Sequence, residues 1–266
     1  MKPKTMAEKA DIHELYEESV QDVETEIDFV TDTFKHLRGR TPIRFREDFC
    51  GTASACCEWV KRDADAIAVG VDFDQATLEW GRENRLSRLS DAERSRVKLV
   101  EANVLTVNES GFDIVGAFNF SYWTFRTRAE MVNYFSGVYD ALDDDGIFML
   151  DSFGGSEAFE EMTEKTKHEG FTYVWDQAEY HPVTGYMRTH IHFKFPDGSR
   201  LKKAFTYEWR LWTLPEIQEL LLEAGFQRAT VYWEGEDDDG EGNGVYEPEA
   251  EGQADPGWIA YIVAEK

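Results

Sequence analysis

The sequence predicts an α/β fold built on a mostly parallel, doubly wound sheet. Strand-like and helix-like segments alternate between residues 43 and 152, which is the pattern of repeated βαβ units. Short apolar runs such as 66–71 are typical of parallel strands that are buried on both faces. A chain of 266 residues has room for one large domain of this kind with an insertion.

The first two thirds of the chain supply the elements of this sheet. Apolar residues in 11–37 recur every three to five positions and predict one amphipathic helix with a solvated acidic face. The Thr41–Pro42 pair is then expected to interrupt the regular secondary structure. Five strands are predicted at 43–49, 66–71, 97–100, 112–120 and 147–152, with helices at 53–60, 75–89 and 128–142.

The alternation changes after Phe153. Three β-rich segments, joined by two turn sequences, predict an antiparallel three-stranded insert after strand five, at 171–180, 186–195 and 200–210. Thr213, Pro215 and Glu216 mark the start of a helix that ends at Gly225. Strands at 226–233 and 258–264 complete a seven-stranded sheet, and the acidic loop 234–257 between them is expected to be mobile.

The organisation that follows has four parts. They are an N-terminal helical segment, the α/β core, the β insert, and a C-terminal part with the acidic loop, at 1–40, 41–153, 154–212 and 213–266.

Charge is the unusual feature of the composition, since the formal net charge is -25. Such an acidic protein repels phosphate backbones and anionic lipids, so nucleic acids and membranes are not expected partners. Much of the charge lies in two segments without Lys or Arg, 11–34 and 234–255. No apolar run approaches the roughly 18 to 20 residues of a membrane span. The three cysteines form no disulfide or metal pattern, and a cytoplasmic location is expected.

One motif stands where the first strand meets the first helix. It reads Glu47-Asp48-Phe49-Cys50-Gly51-Thr52-Ala53. Ligands of open α/β sheets bind at this end of the strands. About twenty-five residues later the second strand ends in Asp72, whose carboxylate can accept hydrogen bonds from two ribose hydroxyls. Glu101-Ala102-Asn103-Val104 and Phe112-Asp113-Ile114-Val115 follow at the third and fourth strands.

This ordered series resembles the class I S-adenosylmethionine-dependent methyltransferases of small-molecule type. Their first motif runs acid-x-Gly-x-Gly-x-Gly, commonly with Cys-Gly-Thr inside it. Glu47 matches the acid and Gly51 the middle glycine, whereas Phe49 and Ala53 replace the outer two. Asp72 matches the ribose acid, and Asn103 takes the place of an acid that meets the adenine amino group. The resemblance covers residues 40–266 apart from the divergent insert.

The resemblance implies a Rossmann-like fold that binds S-adenosyl-L-methionine and releases S-adenosyl-L-homocysteine. The expected cofactor-binding residues are Tyr16, Glu47, Phe49, Cys50, Gly51, Thr52, Asp72, Phe73, Asn103, Val104 and Asn119. Tyr16 belongs to the N-terminal helical segment 1–40, which is expected to be a lid because such a helix often covers the cofactor in these enzymes; the alternative for Tyr16 is a half-buried packing residue. A dinucleotide-binding fold is the nearest rival, but it needs a second glycine beside the pyrophosphate.

The substrate side is predicted from the end of strand four and from the insert. Asn119 and Tyr122 are candidates to orient a nucleophile, and His190 to accept its proton. Candidate substrate-binding residues are Trp123, Asp151, His192, Tyr207, Trp209 and Arg210. Asp151 could instead cap a helix, Arg210 could pair with an acid, and both histidines could lie on the surface. No metal site is expected.

The function expected from these features is methyl transfer to N, O or S of a small-molecule acceptor. The insert would serve as substrate platform or as a homodimer interface. The alternatives are a non-catalytic protein that binds S-adenosylmethionine and an acidic interaction protein.

Overall fold

The computed structural model describes residues 3–237 and 242–266. Its helices are α1 (Ile12–Val20), α2 (Val23–Arg38), α3 (Ser54–Arg62), α4 (Gln75–Asn84), α5 (Asp91–Arg94), α6 (Arg128–Ala141) and α7 (Leu214–Glu223). Its strands are β1 (Arg44–Asp48), β2 (Ile67–Asp72), β3 (Val97–Glu101), β4 (Phe112–Ala117), β5 (Leu142–Gly154), β6 (Met162–His168), β7 (Phe171–His181), β8 (Tyr186–Lys194), β9 (Arg200–Arg210), β10 (Arg228–Glu236), β11 (Gly242–Pro248) and β12 (Trp258–Glu265).

The main sheet confirms the predicted fold class. Its strand order is β11-β10-β12-β5-β4-β1-β2-β3. The five strands from β5 to β3 pair in parallel, and β12, β10 and β11 add antiparallel pairs at the other edge. Helices α6 and α7 pack on one face and α2, α3 and α4 on the other. The carboxyl ends of the parallel strands therefore meet at one edge, where the predicted motif residues lie.

The predicted count of seven strands is one too low. β11 lies inside the segment 234–257, which the sequence predicts as a loop. Tyr246 of β11 packs against Phe29 and Tyr261, with ring centroids 5.8 and 4.8 Å apart. Tertiary aromatic contacts thus stabilise a strand whose glycine-rich sequence has little β propensity. The predicted mobility of residues 238–241 lies outside the described residues.

The insert forms a second sheet with the order β6-β7-β8-β9. It has four strands where three were predicted. β6 has the sequence Met-Thr-Glu-Lys-Thr-Lys-His and is mostly exposed, so no apolar alternation marks it as a strand. The turn sequences between β7, β8 and β9 lie where the sequence predicts them.

The N-terminal segment is two helices, and the prediction of one helix over 11–37 is wrong. Gln21 has extended backbone, with φ -110° and ψ 128°. Asp22 then begins α2 as its N-cap and accepts a hydrogen bond from the Thr25 backbone N–H at 3.3 Å. The irregular five-residue step from Leu15 to Val20 marks this break. None of the helices in the described residues is long and apolar enough to cross a membrane.

Candidate active site

The loop between β1 and α3 has a left-handed backbone at three alternate positions. The φ angles are 58° at Phe49, 51° at Gly51 and 62° at Ala53. These are the three glycine positions of the acid-x-Gly-x-Gly-x-Gly motif, so the chain keeps the loop conformation with only one glycine. Each non-glycine residue there costs about 1 to 2 kcal/mol of backbone strain. Alanine in place of the third motif glycine, at position 53, therefore adds backbone strain as well as a methyl group.

Asp72 lies at the end of β2 and joins this loop to the next one. Its Oδ2 accepts the backbone N–H of Gly51 and its Oδ1 that of Asp74, both at 2.9 Å. Each carboxylate oxygen retains a further lone pair, because an ionised carboxylate has about four acceptor sites. Burial raises the pKa of Asp72. The carboxylate is thus fixed in orientation and still able to accept two hydroxyl donors.

Glu47 is a buried acid of the same motif. Its exposed fraction is 5%, and Cys56 Sγ donates to its Oε2 at 3.3 Å. Burial raises the pKa of Glu47 to about 8, and the negative charges of Asp72 and Asp48 act in the same direction. The side chain is therefore mostly uncharged near neutral pH until a cation comes near it.

A cavity of about 430 Å³, called the first cavity, opens above these residues. Nine of the eleven predicted cofactor-binding residues line it, namely Tyr16, Glu47, Phe49, Cys50, Gly51, Thr52, Asp72, Phe73 and Asn119. Phe73 is 72% exposed, so its ring is free to cover a planar ligand. The volume lies in the range of small-molecule sites.

Asn103 and Val104 are the two predicted cofactor residues outside that lining. Asn103 Oδ1 accepts the backbone N–H of Leu105 at 2.9 Å, which closes a local turn after β3. Val104 is 8% exposed and packs in the core beneath α6 and α7. The side-chain carbonyl expected to accept from an adenine amine is thus engaged with the backbone.

The loop after β4 is held by Asp151 at the end of β5. Asp151 accepts the backbone N–H of Asn119 at 2.7 Å and that of Phe120 at 2.9 Å. Both loop residues have left-handed backbone, with φ 56° and 57°. Burial raises the pKa of Asp151 to about 7. Asp151 does not cap a helix, so of the two predicted alternatives the geometry supports its place in the site.

A second cavity of about 840 Å³ lies on the other side of this loop. It reaches from Asp151 to the insert, whose Tyr173 and Trp175 form part of its wall. Four residues line both cavities, namely Tyr16, Asn119, Tyr207 and Trp209. Ligands in the two cavities would therefore meet at this shared wall.

Helix α1 covers the shared wall from the N-terminal side. Its Glu17 carboxylate accepts Ser54 Oγ at 2.7 Å, accepts Thr52 Oγ1 and pairs with Arg85. Its Tyr16 ring packs on Phe205 of the insert at 4.9 Å. The N-terminal segment thus occupies the position expected of a lid, and Glu17 faces inward rather than water.

Two predicted site residues lie behind the wall rather than in it. Tyr122 has no exposed surface, and its hydroxyl donates to the Asp151 backbone carbonyl at 2.8 Å. Trp123 is equally buried and packs on Phe153 at 4.7 Å. Neither lines the first or the second cavity, so their geometry fits support of the β4 loop rather than contact with a nucleophile.

Two of the four histidines of the insert, His190 and His192, are predicted site residues, and both lie on the sheet face opposite to that of Tyr207. In the β8–β9 register, Thr189 pairs with Tyr207 and His190 with Thr206. Because successive side chains of a strand alternate, His190 points away from the face that carries Tyr207. His190 Nδ1 bonds Thr206 Oγ1 at 2.9 Å, and His192 Nε2 bonds Asp176 at 3.1 Å. The geometry does not support His190 as the residue that accepts a proton, nor His192 as a substrate ligand.

Arg210 also lies outside both cavities. Its guanidinium bonds Glu216 at 2.8 Å and lies 3.6 Å from the centroid of the Trp212 ring. Glu216 belongs to the capping box of α7. Arg210 thus pairs with an acid, which was the second of its predicted alternatives.

Several residues that line the second cavity were not predicted. Trp175, Phe153, Tyr246, Trp258 and Tyr261 belong to strands whose inward face the sequence alone does not identify. Glu26 was assigned to a solvated face. Its spacing of three from Val23 and four from Val30 is a signal that it flanks the buried stripe of α2.

Comparison with known proteins identifies solved structures that share this fold. No protein-family model matches the chain, and no curated protein matches it. Solved structures do match, and they show that the chain has the fold of S-adenosylmethionine-dependent methyltransferases.

Three of these structures cover nearly the whole chain. An S-adenosylmethionine-dependent methyltransferase from Clostridium acetobutylicum has a TM-score of 0.70 at 14% identity, over 95% of this chain and 96% of that one. CalS10, an amino pentose methyltransferase from Micromonospora echinaspora with S-adenosylmethionine bound, has a TM-score of 0.68 at 18% identity, over 96% and 97%. The sugar N-methyltransferase KedS8 from Streptoalloteichus has a TM-score of 0.63 at 16% identity, over 100% and 96%.

Proposed function

We propose that this protein transfers a methyl group from S-adenosyl-L-methionine to N, O or S of a small-molecule acceptor. The observation that carries the proposal is the wall shared by the two cavities, which includes Tyr16, Asn119, Tyr207 and Trp209. Methyl transfer is an in-line displacement, so the donor and the nucleophile must approach from opposite sides of one carbon. Two cavities that meet at one wall provide that approach.

The residues of the first cavity fit the proposed cofactor. Asp72 has two oxygens with free lone pairs for the ribose hydroxyls. Glu47 offers a buried carboxyl group to the ammonium of the methionine part. A Cβ at Gly51 would meet only Thr77 Cγ2, at 3.9 Å, so the loop leaves open space where the ligand would lie.

The chain's own contribution to transfer would be positioning and exclusion of water. When bound, the cofactor supplies a methyl group that a positively charged sulfur activates. The Asn119 side-chain amide has no hydrogen-bond partner among the described residues and is available to orient a nucleophile. Tyr207 and Trp209 stack at 4.6 Å on the inward face of the insert, which supports its proposed role as substrate platform.

Calorimetry with S-adenosylmethionine and S-adenosylhomocysteine tests the cofactor assignment. We expect binding in the micromolar range, and a loss of about a hundredfold or more in Asp72→Ala because both ribose contacts disappear. Asp65→Ala, an exposed acid far from the first cavity, is the matched control. Millimolar or weaker binding by the natural chain would refute the proposal.

A screen of metabolite extracts for incorporation of a labelled methyl group tests transfer. Incorporation that disappears in Asp72→Ala and persists in Asp65→Ala is the expected result. Tight cofactor binding without incorporation would instead favour the non-catalytic alternative.

A further inference from the structure

The second cavity carries charge of one sign. Six carboxylates line it, and none of its lining residues is Lys, Arg or His. They are Asp22, Glu26, Asp151, Glu157, Glu164 and Glu234. The cavity is therefore unfavourable for an anionic acceptor and favourable for a cation.

Three of these carboxylates, those of Glu26, Glu157 and Glu164, have no side-chain hydrogen bond or ion pair within the described residues. Of the three, Glu26 is the one whose charge interacts with that of Asp151. By contrast, the buried Asp48 is paired with Arg46 at 2.7 Å. Burial raises the pKa of Glu26 well above its ordinary range, and the charge of Asp151 raises it further. A half-buried carboxylate without a protein cation is disfavoured in its charged form unless a ligand supplies the positive charge.

Asp151 faces the same space. Its exposed fraction is 5%, and each of its oxygens accepts one backbone N–H. The remaining lone pair on each oxygen can accept from a ligand N–H. Two acids that interact across the cavity repel each other when ionised, and a cation between them would remove that repulsion.

Aromatic rings complete the surroundings of the two acids. The ring centroids of Trp175 and Trp209 lie 6.2 Å apart, and those of Phe153 and Trp175 lie 6.4 Å apart. Aromatic faces attract ammonium groups through their quadrupole, most strongly where water is excluded. The same rings offer little to a neutral hydroxyl beyond apolar contact.

Building on the proposed function, we propose that the acceptor is a small-molecule amine, held as its ammonium ion between Glu26, Asp151 and this aromatic wall. The ammonium first gives one proton to the Glu26 carboxylate, which leaves a lone pair on nitrogen. That lone pair forms the nitrogen–carbon bond while the carbon–sulfur bond breaks and its electron pair stays on sulfur. The sulfur becomes neutral and the nitrogen becomes a methylated ammonium, so charge balances.

Calorimetry on the full chain with bound S-adenosylhomocysteine tests this assignment, with cyclohexylamine and cyclohexanol as matched probes. We expect the amine to bind at least about tenfold more tightly than the alcohol. Glu26→Gln should remove that preference and leave the affinity for S-adenosylhomocysteine unchanged. Glu24→Gln removes the same charge from an exposed position of α2 and should change nothing.

The outcomes separate the two proposals. Equal affinity for amine and alcohol, or an amine preference that persists in Glu26→Gln, overturns the amine assignment while cofactor binding stands. Failure of the natural chain to bind S-adenosylhomocysteine overturns the proposed function itself. The comparison of the two probes on the natural chain remains decisive even if Glu26→Gln does not fold.

Discussion

Replacing Glu47 by glutamine should change how the stability of the protein depends on pH. The folded chain holds the Glu47 proton with a pKa of about 8, against an ordinary value of 4.5. Because the native state binds the proton more tightly than the unfolded state, the contribution of Glu47 to stability is fully present below pH 4.5 and is lost as pH rises towards 8. Glutamine cannot titrate, so the variant should lose this fall.

The size of the effect follows from the two pKa values. Linkage over the interval from pH 5 to pH 8 gives a loss of about 3 kcal/mol in the free energy of unfolding of the natural chain. The Glu47 side chain is 5% exposed, so solvent screens little of this energy. The stability of Glu47→Gln relative to the natural chain should therefore rise by about 3 kcal/mol over the same interval.

Urea unfolding at pH 5, 6, 7 and 8 measures this difference. Glu18→Gln, at an exposed position of α1, is the control and should track the natural chain at each pH. A stability difference between Glu47→Gln and the natural chain that stays constant from pH 5 to pH 8 would refute the reasoning. It would mean that Glu47 is ionised throughout and that its burial is relieved in another way.

Substitutions at three further positions test other parts of the site. Arg46→Met should lower the free energy of unfolding by about 3 kcal/mol or more, because it leaves the buried Asp48 charge unpaired; a loss below about 1 kcal/mol in urea unfolding would contradict this. Glu17→Ala should raise the dissociation rate of S-adenosylhomocysteine about tenfold, since α1 loses its bonds to the motif loop; an unchanged rate in stopped-flow fluorescence would count against α1 as a lid. Asn119→Gly keeps the left-handed backbone and deletes the amide, so turnover at saturating cofactor should fall about tenfold or more; equal turnover of the variant and the natural chain would contradict this. Asn119→Ala should be about 1 kcal/mol less stable than Asn119→Gly in thermal unfolding, because only alanine is strained at this φ.

Much of the fold and of the first cavity follows from local sequence. An acid at the end of a buried strand, such as Asp72, lies by topology at the edge where ligands bind. The motif loop is equally local, because Glu47 to Ala53 connect adjacent elements. These residues line the first cavity with no need for long-range information.

The residues of the second cavity are brought together by long-range packing, which cannot be inferred from the local patterns of a single sequence. His190 and Tyr207 both look like site residues, and only the β8–β9 register shows that they face opposite ways. Glu26 looks like a surface acid until α2 is placed against β5 and the second cavity forms beside it. β11 has too few alternating apolar residues to be recognised from the sequence, and its strand is stabilised by the aromatic contacts of Tyr246. In each case tertiary contacts override the local signal.

The left-handed residues of the two site loops have a consequence for ligand binding. Phe49 and Ala53 after β1, and Asn119 and Phe120 after β4, each hold a strained backbone that the surrounding fold must impose. Loops fixed in this way have little conformational freedom left to lose when a ligand arrives. The entropy of shaping the site is thus lost during folding rather than during binding, which favours affinity from few contacts.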